Sequence, residues 1–211
     1  MKKNMMIFAF AMIATTVWAN EKYLEAMQKN IQQVYSAKTP VELQQAVNAF
    51  ERVGDAEKDK WEPFYYASFG YIMMATREQE GSKKDLLLDN AAAVLKKASA
   101  INSNESEIVA LEGFILMLRV AVDPASRGQQ YSGLAMQAFG KALGMNPENP
   151  RALALMAQME FGTAQFFGSS VEGPCNTVSK AIEKFEVYKS ENPLAPQWGQ
   201  EMANRLKSQC K

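Results

Sequence analysis

The chain has 211 residues, with 23 basic and 23 acidic side chains, two cysteines and no histidine. Balanced charge without a basic stripe excludes a nucleic-acid surface, which must neutralise phosphates. The missing histidine removes the commonest general base near neutral pH and the commonest metal ligand, and with only two cysteines it excludes the usual zinc spacings. The residues imply no cofactor and no metal; chemistry by Asp, Glu, Lys or Tyr is left open but carries no motif.

The first segment has Lys2 and Lys3, an apolar run from Met5 to Val17, then Val17-Trp18-Ala19. A basic start, a short apolar run and small residues at the end predict a secretory signal peptide over residues 1–19. The run is short of the roughly 20 apolar residues that a spanning helix needs. An uncleaved anchor is the alternative reading. No cysteine follows the run, so lipoprotein processing is not expected. Residues 20–211 are then a single exported domain, periplasmic or secreted, with no second stretch able to span a membrane.

The rest reads as all-helical. Leu24, Met27, Ile31 and Val34 make the apolar stripe of a first helix. Thr39-Pro40-Val41-Glu42 predicts a capping box with proline at the first helical position. Leu43, Ala46, Val47, Phe50 and Val53 form the buried face of the second helix, with Gly54 as its stop. A third helix begins near Trp61-Glu62-Pro63 and is dense in aromatics. Glu80-Gly81-Ser82 breaks the pattern before a fourth helix from about Asp85 to Ala100. Asn104 and Glu107 predict another capping box, followed by Ile108, Leu111, Phe114, Ile115 and Leu118. Asp123-Pro124 ends that helix. The sixth carries Leu134, Ala135, Ala138, Phe139, Ala142 and Leu143. Asn149-Pro150 starts a seventh, through Met156 and Met159 to roughly Gln165, and 168–174 is read as loop. Val178, Ala181, Ile182, Phe185 and Tyr188 mark the eighth helix. Ala195-Pro196 is expected to open a ninth through Trp198, Met202 and Leu206.

Within this series one pattern recurs: Ala46–Phe50–Val53, Ala91–Leu95–Ala98, Ala135–Phe139–Ala142 and Ala181–Phe185–Tyr188, with first residues 45, 44 and 46 positions apart. A helical motif at near-constant period predicts a solenoid, each unit burying its apolar face against its neighbours. The motif resembles the tetratricopeptide repeat (TPR), whose second helix carries Ala, an aromatic four later, Ala three later and Pro five later. Ala135-Phe139-Ala142-Pro147 matches all four positions, and Ala181-Phe185-Tyr188-Pro193 matches three. The resemblance implies an all-α, TPR-like α-solenoid of four antiparallel helix pairs plus a C-terminal capping helix. The chain also resembles small exported TPR proteins without assigned activity, down to Pro196-Gln197-Trp198-Gly199. The period exceeds the usual length of about 34 residues. The surplus is expected in long loops within the repeats, at Gln79–Lys84, Val122–Gln130 and Phe166–Cys175, all on one edge of the stack.

In this architecture first helices line the concave groove. Tyr65, Phe69 and Met73, then Phe114, Met117 and Leu118, then Arg151 and Gln158 are the candidate binding residues; the alternative is that these side chains are core. Asp123, Arg127 and the Phe166-Phe167 pair are candidates for an interaction edge, or else cover the end of the core. Glu105, Glu107 and Glu112 read as capping or solvated charges. Gly81-Ser82 and Gly168-Ser169-Ser170 lack the Gly-Lys-Ser/Thr of a phosphate loop. Cys175 and Cys210 fall at neighbouring ends of two antiparallel helices, which in an exported protein predicts a disulfide. Free thiols or an intermolecular bond are the alternatives. Together these features predict a non-catalytic binding or scaffold protein that holds a protein or peptide partner in its groove. The alternatives are an envelope enzyme using carboxylates or Tyr beside the long loops, and a self-associating structural protein.

Overall fold

The structure, a computed structural model, describes residues 21–210; the expected signal peptide lies outside them. Nine helices are present among the described residues. α1 spans 21–36, followed by α2 (Pro40–Ala56), α3 (Glu62–Arg77), α4 (Gly81–Ile101), α5 (Ser106–Val122), α6 (Pro124–Met145), α7 (Pro150–Phe167), α8 (Glu172–Val187) and α9 (Gln200–Lys207). From α2 onward each helix packs on the next. Second-neighbour contacts occur at α3·α5, α5·α7 and α7·α9. The odd-numbered helices therefore form the inner layer of a curved stack and the even-numbered ones its outer layer. This is the α-solenoid that the 45-residue period implies.

Local chemistry sets the helix starts. Thr39 and Glu42 form the predicted capping box, the Glu42 backbone N–H donating to the Thr39 hydroxyl at 3.2 Å and the Thr39 N–H to the Glu42 carboxylate at 2.9 Å. Asn149 caps α7, its side-chain oxygen accepting from the N–H groups of Arg151 and Ala152, both at 3.0 Å. The recurring alanines Ala46, Ala91, Ala135 and Ala181 are all fully buried. Their small side chains let the helices of each pair approach closely. Gly113 serves the same end in α5, where any added Cβ would run into the Phe139 ring of α6.

Four expectations are corrected. The surplus residues lengthen helices instead of forming long loops: residues 78–80 connect α3 to α4, Asp123 alone connects α5 to α6, and residues 168–171 connect α7 to α8. Charge pairing accounts for much of this, because the Arg127 guanidinium of α6 grips Asp85 of α4 through two hydrogen bonds of 2.7 and 2.8 Å and holds both first turns in helix. α5 is capped by Glu105, whose carboxylate accepts from the Glu107 N–H at 3.1 Å, and not by Asn104. Glu107 is buried, not solvated. Finally, α9 begins at Gln200, and Trp198 lies in an irregular strap over residues 188–199. Pro193 and Pro196 deprive that strap of helix donors. Its polar backbone is met by tyrosines, Tyr66 donating to the Leu194 carbonyl at 2.7 Å and Tyr35 accepting from the Gln197 N–H at 3.1 Å.

Candidate functional site

An open cleft of about 950 Å³ lies where the C-terminal half of α5, the first turns of α6 and the C-terminal half of α7 meet α9. α5 contributes Met117, Leu118, Val120 and Ala121; α6 contributes Pro124, Ala125, Gly128, Gln129 and Ser132; α7 contributes Gln158, Met159, Gly162, Thr163, Phe166 and Phe167; α9 contributes Met202. The space exists because of residue size. Gly128 and Ser132 on α6 face Gly162 and Thr163 on α7, and these side chains are too small to close the gap between the two helices. A Cβ built on Gly128 or Gly162 would meet nothing within 4 Å.

Caps fix both edges of the cleft. Asp123 accepts from the Ser126 N–H at 3.2 Å and, with Pro124 in the first turn, starts α6 directly after α5. Gly168, in the left-handed region at φ 64°, stops α7 through the bond from the Ser169 N–H to the Ala164 carbonyl at 2.8 Å. Phe166 and Phe167 are thus held in the final turn, at the rim. They are 63% and 75% exposed and pack edge-to-face on each other, with centroids 5.1 Å apart. Two neighbouring phenyl rings left this wet are costly unless something apolar covers them.

No Asp, Glu, Lys or Arg lines the cleft. Its polar groups are the amides of Gln129 and Gln158 and the hydroxyls of Ser132 and Thr163, the last already donating to the Met159 carbonyl at 2.8 Å. Three thioethers, Met117, Met159 and Met202, face an otherwise hydrocarbon wall. No group of three or more His, Cys, Asp or Glu able to hold a metal ion occurs among the described residues. The volume is at the upper end of the range typical of small-molecule sites.

The candidate groove residues divide between two places. Met117, Leu118 and Gln158 line the cleft. Tyr65, Phe69 and Phe114 are buried beneath the strap: Trp198 stacks on Phe69 and Phe114 at centroid separations of 5.1 and 5.8 Å, and its indole N–H donates to the Tyr65 hydroxyl at 3.0 Å. Burial pushes the Tyr65 phenol well up, so it stays neutral. Met73 packs half-buried against the main core. At Tyr65, Phe69 and Phe114 the inner layer is therefore covered by the chain itself. Of the edge candidates, Phe166 and Phe167 form the rim, and Asp123 and Arg127 hold helix starts.

Arg151 is fully buried beside the strap. Its guanidinium donates to both Glu107 oxygens, at 2.7 and 2.8 Å, and lies over the Tyr188 ring at 4.4 Å, while its Nη1 has no hydrogen-bond partner. Burial opposes its charge, but Glu107 outweighs that and holds the pKa above the usual arginine value. The pair occupies equivalent second positions of α5 and α7. Opposite charges one repeat apart were thus a readable signal. The small-residue stripe of α6, spaced four apart at Pro124, Gly128 and Ser132, was another.

No protein-family model matches the chain, and neither does any curated protein sequence. Solved structures do match. The HusA haemophore from Porphyromonas gingivalis superposes with a TM-score of 0.80 and 28% identity, covering 90% of this chain and 92% of that one. A thermophilic TPR protein from Thermus thermophilus superposes with a TM-score of 0.50 and 13% identity over 93% of this chain and 94% of its own. The fold is a TPR-like α-solenoid. Cys175 and Cys210 form a disulfide in it, and no helix among the described residues is long and apolar enough to cross a membrane.

Proposed function

We propose that the chain is an exported binding protein that carries haem, or a tetrapyrrole of the same shape, in the cleft between α5, α6, α7 and α9. The observation that carries this reading is the cleft itself: an open, uncharged slot kept clear at Gly128 and Gly162, lined by methionine and aliphatic side chains, and edged by two exposed phenylalanines. A flat macrocycle buries both faces in such a slot and can leave its carboxylates at the open mouth, where no protein charge is needed. The likeness to a haemophore over most of both chains points to the same class of ligand. Haem is here cargo rather than a reactive cofactor.

The donor set defines how haem would be held. The cleft lining contains no imidazole, thiolate or phenolate, and its only soft donors are the three thioethers. Retention therefore rests mainly on buried apolar area, worth about 25 cal/mol per Å². Catalysis has little support in this arrangement, because no carboxylate or Tyr lines the cleft. Export is supported by the disulfide, a bond that persists in oxidising compartments.

Haemin titration of the disulfide-bonded protein, followed by its Soret absorbance and by quenching of tryptophan emission, tests the reading. The expected result is a saturable spectral shift at one haemin per chain. Signals that rise linearly without saturation, as free haemin gives, would overturn it.

A further inference from the structure

Met202 is the one cleft residue supplied by α9, and α9 is a helix of only eight residues. A helix that short has no stability of its own in water. It is fastened at both ends. Before it, Trp198 is stacked on Phe69 and Phe114, and Gly199, at φ 108°, fits a space where a Cβ would strike the Phe185 ring and approach Arg151. After it, Cys210 is bonded to Cys175. Cys175 lies in the first turn of α8, directly beyond the short connection from the Phe166–Phe167 rim. One covalent bond thus ties the C-terminal end of α9, the helix that carries Met202, to the first turn of α8, which follows the rim in the chain. Both cysteines are only partly buried, and neither lines the cleft.

We propose that the Cys175–Cys210 disulfide is a redox lock on the cleft, an inference that rests on the ligand reading above. A dithiol opens it. The thiolate of the dithiol attacks one cysteine sulfur and the other leaves as a thiolate; the second thiol then displaces the first cysteine, giving two protein thiols and a cyclic disulfide. The two electrons pass from the dithiol to the protein. Without the cross-link, α9 opens by local unfolding far more often than the stack behind it. Each opening withdraws Met202 and removes the α9 side of the cleft wall. The protein therefore holds its ligand in an oxidising compartment and releases it to a reducing one.

The test compares the disulfide-bonded full chain with two thiol-free forms. One is the Cys175→Ser/Cys210→Ser variant. The other is the wild-type chain reduced with a phosphine, alkylated with iodoacetamide and freed of reagents, which also covers a failure of the variant to fold. Haemin release is timed by transfer to excess apomyoglobin, and amide hydrogen exchange is measured without ligand. Both thiol-free forms should release haemin about tenfold faster, with faster exchange confined to α9 and the strap. A release ratio below threefold, or unchanged α9 exchange, overturns the lock. If the disulfide-bonded chain binds no haemin, it is the ligand reading that fails. The exchange arm then decides the lock alone, faster α9 exchange supporting it and unchanged exchange overturning it.

Discussion

Removing a guanidinium from water costs several kcal/mol, and at Arg151 the fold offsets this with two charge-assisted hydrogen bonds to Glu107 and the face of Tyr188. Removing one partner strands the other. Arg151→Met should destabilise the protein by about 3–5 kcal/mol, and the double variant with Glu107→Leu should recover most of that loss, because an apolar pair needs no compensation. Urea denaturation of the wild type, both single variants and the double variant measures the coupling; additive losses would show that the pair does not act as a unit. Glu105, next to it, behaves differently. Burial, with the neighbouring Glu107 and Glu62 charges, raises its carboxyl above the ordinary value. The folded state thus binds this proton more tightly than the unfolded state does. Its contribution is fully present below the unfolded pKa and is lost as pH rises through the folded one. Glu105→Gln keeps the capping acceptor without the charge. Its Tm should exceed the wild-type value at pH 7 by roughly 2–4 °C and match it near pH 3, as read by thermal melts across that range.

At the scale of elements, the cleft exists because glycine stands where a helix would prefer almost anything else. Gly162 lies mid-helix in α7 with open space where its side chain would be. Gly162→Leu should therefore stabilise α7 by about 0.5–1 kcal/mol, raising Tm, while it fills the slot and weakens haemin binding more than tenfold. Opposite movements of Tm and affinity would identify the glycine as kept for the ligand; parallel movements would point to a packing role. The legibility of the elements follows the same local logic. The Thr39 and Asn149 caps are local hydrogen-bond patterns and could be read directly from the sequence. The strap could not: its backbone groups bond to Tyr35 and Tyr66, well over a hundred residues away, and its apolar Trp198 looked like one more helical position. The segment around Gly81 and the stretch 122–130 read as loop, and the Asp85–Arg127 pair joins α4 to α6 where both segments are instead mostly helical.

At the scale of the whole molecule, the repeat period revealed the stack, because burying one face against the next unit is what a solenoid requires of every unit. The site was only half legible. Met117, Leu118 and Gln158 could be placed on inner helices and the small residues of α6 lie in plain view, but that Gly128 and Ser132 of α6 come to face Gly162 and Thr163 of α7 depends on tertiary packing, which no local pattern encodes. The core falls into three clusters of buried residues: a large one that runs from Tyr23 of α1 to Ile115 of α5 and on to Leu155 and Met159 of α7, a small one of Val109, Ala110, Ala142 and Ala152, and one at the C-terminal end that includes Phe161, Val178, Ala181, Ala203 and Leu206. A ligand in the cleft meets Met159 of the large cluster and Met202, which packs against both the large and the C-terminal one, and so adds contacts where these two clusters meet. Haemin at a hundred times its dissociation constant should add about 2.7 kcal/mol, a rise in Tm of roughly 5–10 °C for a chain of this size. Because those contacts lie where the two clusters meet, calorimetry should show the C-terminal cluster gaining most and the transition sharpening. An equal upward shift with no sharpening would mean that the ligand binds without joining the two clusters.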